Sequence, residues 1–170
     1  MELPDHELKR LGSESIPEAL EKAYHYRLLN EPLEAESICL DILEVDPENG
    51  EALIILILAL TDHFSKRLQP AYRDARALLE RLPDDYSKMY YEGLIFERRA
   101  KASFHAGQPA SGHVAYGWFQ RALKCFDAAS KMSPAENADA DLRWNTVIRI
   151  LERYPEICPT PVDLSEPYLE

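Results

Sequence analysis

Small and apolar residues recur along the chain at the spacing of one helix face. In three segments an alanine is followed after four and seven residues by a small or apolar residue, and after twelve by a proline. These segments are 35–47, 71–83 and 122–134. Residues four and seven apart lie on the same face of an α-helix, and a proline cannot continue one. The pattern therefore predicts three amphipathic helices, each ending in a turn.

The same periodicity continues between these segments and predicts an all-α fold. Asn30 suits a left-handed turn residue, and Pro32 and Pro70 suit the first turn of a helix. The last predicted helix has an apolar stripe but no partner helix, so we expect it to cap the others. The helices are expected at 17–30, 33–45, 51–67, 70–82, 86–105, 113–131 and 137–153.

Two of the predicted hairpins pair a small residue with an aromatic one three positions later. Ala23 precedes Tyr26 in the first hairpin, and Gly93 precedes Phe96 in the third. Together with the alanine-to-proline pattern, this resembles the tetratricopeptide repeat family, whose repeats place Gly or Ala before Tyr and close on Pro. The second hairpin departs from that pattern, because Ile57 stands where the small residue is expected.

The resemblance implies antiparallel helical hairpins stacked as a short right-handed α-solenoid. A single domain of this type would span 1–153, followed by an acidic, proline-rich tail over 154–170 that we expect to be extended. Its three repeats and its capping helix are expected at about 16–49, 50–85, 86–136 and 137–153.

The spacing of the closing prolines differs from the family in one place. Pro47 and Pro83 are 36 residues apart, whereas Pro83 and Pro134 are 51 apart. The family repeat is about 34 residues long, so the second spacing has an excess of about 17. That excess falls within residues 97–121. The segment 107–112 inside this range begins and ends with glycine, and the sequence on both sides of it has a helical pattern. We therefore expect two lengthened helices that project as a hairpin.

Charge is distributed unevenly along the 170 residues, whose formal net charge is −11. An acidic chain repels nucleic acid and anionic membranes, so we expect neither as a partner. The segment 61–131 is the exception, with 12 basic and 8 acidic residues. The longest apolar run, 52–60, is too short to span a bilayer. The three cysteines lack metal-site spacing, and free thiols of this kind predict a cytoplasmic location.

No catalytic sequence motif accompanies the helical pattern. Glycine-rich phosphate loops, nucleophile elbows and zinc-protease motifs are absent, so we predict no enzyme, no cofactor and no metal. His105 and His113 could meet across the hairpin turn, although surface positions are the favoured interpretation. Cys39 and Cys125 fall on core stripes, where cysteine behaves as a small hydrophobic residue.

The resemblance also implies where a partner binds, because in that family the first helix of each repeat lines a concave wall. The alternative interpretation is that the aliphatic residues of this wall pack against neighbouring helices. We expect a non-catalytic scaffold, monomeric or weakly dimeric, that holds a peptide or helix of a partner protein; the alternative is a self-associating structural module. By spacing, the principal peptide-binding residues of this wall are Leu20, Tyr24, Arg27, Leu58, Tyr90, Leu94, Arg98 and Asn145. The wall also takes in Leu28, Ile54, Thr61, Asp62, Glu97, Asp141, Ile148 and Arg149.

A basic cluster of Arg98, Arg99 and Lys101 lies on the predicted hairpin. One interpretation is a solvated helix end. The other is a patch for an acidic segment, for which the chain's own tail is a candidate. In that tail acidic residues alternate with apolar ones, namely Asp163, Leu164, Glu166, Tyr168, Leu169 and Glu170.

Overall fold

The computed structural model describes residues 6–161, where all the regular secondary structure is helical and no strand occurs. The predicted all-α class is confirmed for these residues. None of the helices within them combines the length and apolar character needed to cross a bilayer. The helices are α1 (Ile16–Leu28), α2 (Pro32–Val45), α3 (Gly50–Asp62), α4 (Phe64–Leu78), α5 (Asp85–His105), α6 (Ser111–Met132) and α7 (Asp139–Arg153).

Local residues explain where several helices begin. At the start of α3 the Asn49 side chain accepts a 2.9 Å hydrogen bond from the Ala52 amide. At the start of α5 the Asp84 side chain accepts one of 2.7 Å from the Ser87 amide. Such caps satisfy amides that have no partner within the helix. Asn30 adopts a φ of 61° in the turn between α1 and α2, which confirms the left-handed residue predicted there.

Each helix packs against the next one in the chain, from α1 to α7. Contacts between non-consecutive helices join α1 to α3 and α3 to α5. The first helices of successive hairpins are therefore neighbours, and α3 lies between α1 and α5. Two clusters of buried side chains hold this arrangement together, one centred on α1 to α4 and the other on α5 to α7.

The alanines that begin the repeated pattern lie at the contacts between helices. Ala35 and Ala122 have no exposed surface, and Ala71 is 3% exposed. A larger side chain at any of the three would meet a neighbouring helix, because protein interiors leave few voids. The predicted helix faces are thus the buried ones.

The two lengthened helices expected around residues 97–121 are present. α5 and α6 have 21 and 22 residues, whereas the other α-helices have 13 to 15. The turn between them contains Gly107 and Ala110 with φ values of 64° and 63°. Lower in the hairpin the helices approach closely, since a Cβ on Gly93 would lie 2.7 Å from the ring of Phe126.

The boundary between α3 and α4 differs from the prediction of one helix over 51–67. α3 ends at Asp62, and α4 begins at Phe64 with a non-helical backbone at Arg67, where φ is −137° and ψ is 47°. Pro70 explains the non-helical backbone at Arg67, because it has no amide to donate to the carbonyl four residues earlier and its ring crowds that turn. α3 thus ends five residues before the predicted end at residue 67, but His63 keeps helical backbone angles and the kink itself lies at Arg67.

The chain after α7 continues to pack on the helices. Ile157 is 4% exposed and belongs to the core cluster of α5 to α7. A Cβ on Gly112 would lie 2.1 Å from the Glu156 carbonyl oxygen, so this segment passes directly over the start of α6. Packing therefore continues beyond the predicted domain boundary at residue 153. The tail residues predicted as a ligand, from Asp163 to Glu170, lie outside the described residues.

Candidate functional site

The predicted wall residues lie on α1, α3, α5 and α7, but they differ in exposure. Tyr24 is 53% exposed and Asn145 is also exposed, so a partner can reach both. Leu20 and Leu58 are half-buried, and each packs against a core cluster. Leu94 is 3% exposed and is itself part of the core. Helix packing thus covers Leu94, and a partner cannot contact it.

Tyr90 is held among aromatic side chains of its own hairpin. Its ring stacks on Tyr86 with 5.8 Å between centroids, meets Tyr91 edge-on at 5.1 Å and packs against Phe126 at 6.0 Å. Burial raises the pKa of the Tyr90 hydroxyl, and Arg143 opposes that shift. Tyr90 is therefore mainly a packing residue whose hydroxyl lies near a cation.

Three predicted wall residues form a charged bridge between α1, α3 and α5. The Asp62 carboxylate accepts hydrogen bonds from Arg27 Nε at 2.8 Å and from Arg98 Nη1 at 2.5 Å. Arg98 also donates to the Thr61 hydroxyl at 2.6 Å. The side chains of Arg27, Asp62 and Arg98 are 12%, 22% and 24% exposed, so solvent screens their charges only partly.

Burial affects the bridge in two opposing ways. It lowers the pKa of the Arg98 guanidinium, while the Asp62 carboxylate raises it again. Charged groups out of water are stable only when they are paired and hydrogen-bonded, and Asp62 supplies both for two arginines. The bridge therefore fixes three helices relative to one another.

Glu97 forms a second charged centre, one residue before Arg98. Its side chain has no exposed surface. Glu97 Oε1 accepts from Lys101 on the same helix and from Arg143 of α7, the latter at 3.5 Å. Glu97 Oε2 has no hydrogen-bond partner among the described residues. A buried carboxylate needs cations or donors around it, and Lys101 and Arg143 supply them.

Together these side chains form a charge network that joins all four helices of the predicted wall. It contains four cations and two carboxylates, so it carries an excess of positive charge in a chain whose net charge is −11. Such an excess attracts anionic groups, the more so where solvent screening is weak. The members of the charge network are Arg27, Asp62, Glu97, Arg98, Lys101 and Arg143.

Sequence reasoning missed Arg143, which the capping helix brings to Glu97. It chose Asn145 on the same helix instead. Two residues correspond to about 200° of rotation around an α-helix, so only one of the two can face α5. The rotation of α7 is set by its packing against α6, which residue spacing alone does not specify.

The basic residues predicted as one patch on the hairpin face different ways. Arg98 and Lys101 belong to the charge network, on the side of α5 that meets α3 and α7. The guanidinium carbon of Arg99 instead lies 3.9 Å from the ring centroid of Tyr72 on α4 and 4.2 Å from that of Trp118 on α6. The structure thus divides the three cations between opposite sides of α5.

Histidine and cysteine side chains are dispersed in the part of the chain that the structure describes. His105 Nδ1 donates to a carbonyl of its own helix, and His113 Nδ1 donates to the Cys158 carbonyl, while no hydrogen bond joins the two described histidines to each other. No group of three or more possible metal ligands occurs within residues 6–161. Burial raises the pKa of both Cys39 and Cys125 to about 12, so these thiols stay protonated near neutral pH.

Comparison of the chain with models of known protein families, with curated proteins and with solved structures found no match. The likeness to tetratricopeptide repeats therefore depends on the residue pattern, and a function can be inferred only from the geometry of the site.

Proposed function

We propose that the chain is a non-catalytic scaffold of the tetratricopeptide repeat type. It holds an acidic peptide or helix of a partner protein against the side formed by α1, α3, α5 and α7. The charge network is the observation that carries this proposal, because four cations surround two carboxylates across those four helices. Charge gives such a site its preference for acidic segments and speeds association, whereas apolar contacts supply more of the affinity.

Apolar anchors for a partner segment are present on α1. Tyr24 and Leu28 lie one helical turn apart and are 53% and 66% exposed. Arg27 of the charge network lies beside them in sequence. Large exposed apolar side chains next to charged groups are typical of protein-interaction surfaces. A segment that covers both anchors can extend over the network towards α7.

Affinity capture with the full chain, followed by mass spectrometry, would identify a partner whose binding segment can then be synthesised. Calorimetry would then compare the binding of that segment to the wild-type chain with its binding to two matched variants. We expect Tyr24→Ala to weaken binding at least about tenfold, in the range of an aromatic anchor at an interface. Leu40→Ala is the control, because Leu40 is 54% exposed but lies on α2, away from the wall.

Equal binding by the wild type and the Tyr24→Ala variant, with Leu40→Ala weaker, would place the binding surface elsewhere. A segment with no acidic residues would contradict the role of the charge network. Raising the salt concentration should weaken the binding of an acidic ligand, because ions screen its attraction to the charge network.

A second candidate function, self-association, is favoured by an exposed apolar group at the end of the first hairpin. Leu28, Leu29 and Leu33 are 66%, 53% and 58% exposed and flank the turn between α1 and α2. Sedimentation equilibrium distinguishes the two functions. A monomer at micromolar concentration supports the scaffold. A stable dimer that Leu29→Ser with Leu33→Ser converts to monomer supports self-association.

A further inference from the structure

A cluster of arginine and aromatic side chains lies on the side of α5 opposite the charge network. The Arg99 guanidinium covers the rings of both Tyr72 and Trp118, whose centroids are 5.7 Å apart, and Arg121 covers Trp118 at 4.6 Å. Cations over aromatic faces are attracted by the ring electrons. The members of this arginine–aromatic cluster, from α4, α5 and α6, are Tyr72, Arg76, Phe96, Arg99, Trp118 and Arg121.

Two of its arginines have no acidic partner within residues 6–161. Arg76 pairs with Glu92 at 2.7 Å, whereas Arg99 and Arg121 form no ion pair with the described residues and lie over aromatic rings. The Nε and Nη1 atoms of Arg99 are buried without an acceptor. Burial lowers the pKa of Arg99, Tyr72 opposes that shift, and the Arg121 cation lowers it further. A carboxylate beside these two arginines would offset their mutual repulsion.

The chain that follows α7 leads to this cluster. Ile157 is buried in the core, and the Cys158 carbonyl accepts a 2.8 Å hydrogen bond from α6, so the path of the chain is fixed there. Two residues later Thr160 lines a cleft of about 450 Å³ together with Trp118 and Arg121. The residues after Thr160 therefore start beside the cluster.

We propose that residues 162–170 of this chain dock on the arginine–aromatic cluster, with their carboxylates at Arg99 and Arg121. The segment contains three acidic residues and no basic one. Its charge is opposite to that of the two arginines, and its aliphatic residues suit the apolar parts of the cleft. The cluster is separate from the charge network, so this docking does not depend on the proposed scaffold function.

The distances along the chain allow this docking. An extended chain advances about 3.3–3.6 Å per residue, so Asp163 can lie within about 10 Å of Thr160 and Glu166 within about 20 Å. Thr160 shares its cleft with Arg121. The guanidinium carbons of Arg99 and Arg121 lie 4.2 Å and 4.6 Å from the centroid of the same indole ring, that of Trp118. Both arginines are therefore within reach of the first two carboxylates of the segment.

Quenching of Trp118 fluorescence by acrylamide reports whether the cleft is covered. The chain has two tryptophans, so Trp144→Phe in the full-length protein leaves Trp118 as the single reporter. In this background Asp163→Lys with Glu166→Lys should raise the quenching constant about twofold, because exposed charge pairs each shift an equilibrium by only a few-fold. Arg121→Glu should raise it similarly.

Lys124→Glu is the matched control for Arg121→Glu. Lys124 is exposed on the same helix and undergoes the same change of charge, but it does not line the cleft. The Lys124→Glu variant should have the same quenching constant as the parent protein. Combining Arg121→Glu with the two lysine substitutions in the tail restores opposite charges, and we expect it to restore the low quenching constant.

Unchanged quenching in both the tail variant and the Arg121→Glu variant would overturn the proposal. So would an equal effect of Lys124→Glu, since the response would then reflect overall charge. A quenching constant that falls as protein concentration rises would assign the cleft to the tail of a second copy, which also overturns it. Arg121 and Lys124 lie outside the core clusters, and Trp144→Phe keeps an aromatic ring where Trp144 packs against one of them, so circular dichroism should show the same helix content in every variant.

Discussion

The close approach of α5 and α6 at Gly93 allows a quantitative test of the hairpin packing. A Cβ introduced by Gly93→Ala would lie 2.7 Å and 2.9 Å from two carbons of the Phe126 ring and 3.1 Å from Cys125 Cβ. Phe126 has no exposed surface, and packed interiors leave its ring little room to move. Overpacking of this kind costs about 1–3 kcal/mol.

Helix propensity acts in the opposite direction, so the experiment needs a control. Alanine is favoured over glycine in a helix interior by about 1 kcal/mol. Gly117 lies in the interior of α6, and a Cβ there would have no atom within 4 Å, so Gly117→Ala should show that gain alone. We expect Gly93→Ala to lower the free energy of unfolding by about 1 kcal/mol and Gly117→Ala to raise it by about 1 kcal/mol.

Thermal unfolding followed by circular dichroism compares the two variants directly. A difference of about 2 kcal/mol corresponds to a separation of about 4–8 °C in Tm for a chain of this size. If both substitutions raised Tm by the same amount, the contact between Gly93 and Phe126 would be refuted. The interpretation of Gly93 as the small residue that lets two helices approach would be refuted with it.

The charge network, the Tyr90 ring and the buried thiols each allow one more test. Asp62→Ala leaves two arginines facing each other, so chemical denaturation should show a loss of about 3 kcal/mol; a loss below about 1 kcal/mol would mean that solvent screens the bridge. Tyr90→Ala should also cost about 3 kcal/mol, and an unchanged Tm would assign the ring to the surface. Since burial raises the pKa of Cys39 and Cys125 to about 12, maleimide at pH 8 should label them only as fast as the chain unfolds. Labelling at the rate of a free thiol would contradict their burial.

The buried faces of the helices could be predicted because they depend on local spacing. Ala35 and Ala122 recur at fixed distances from closing prolines, and both are fully buried. The long hairpin could also be predicted from the sequence, because the excess residues had to fall between two helical patterns. A small residue such as Gly93 on a buried helix face indicates that two helices approach each other closely there.

The site could be predicted only in part, because charges pair through the relative rotation of helices. Spacing placed Arg27, Asp62 and Arg98 on one wall, and the structure joins them. Residue spacing did not predict that Arg143 reaches Glu97 from α7. Nor did it predict that Arg99 lies on the other side of α5 with the aromatic rings. Those contacts depend on packing between helices that are distant in sequence.

Hydroxyl-radical footprinting of the chain bound to its captured partner tests the proposed scaffold most directly. Tyr24, Leu28 and Leu40 are all more than half exposed, so each should react in the free chain. We predict that Tyr24 and Leu28 lose reactivity in the complex while Leu40 on α2 keeps it. Protection of Leu40 with Tyr24 and Leu28 unchanged would contradict binding on the side formed by α1, α3, α5 and α7.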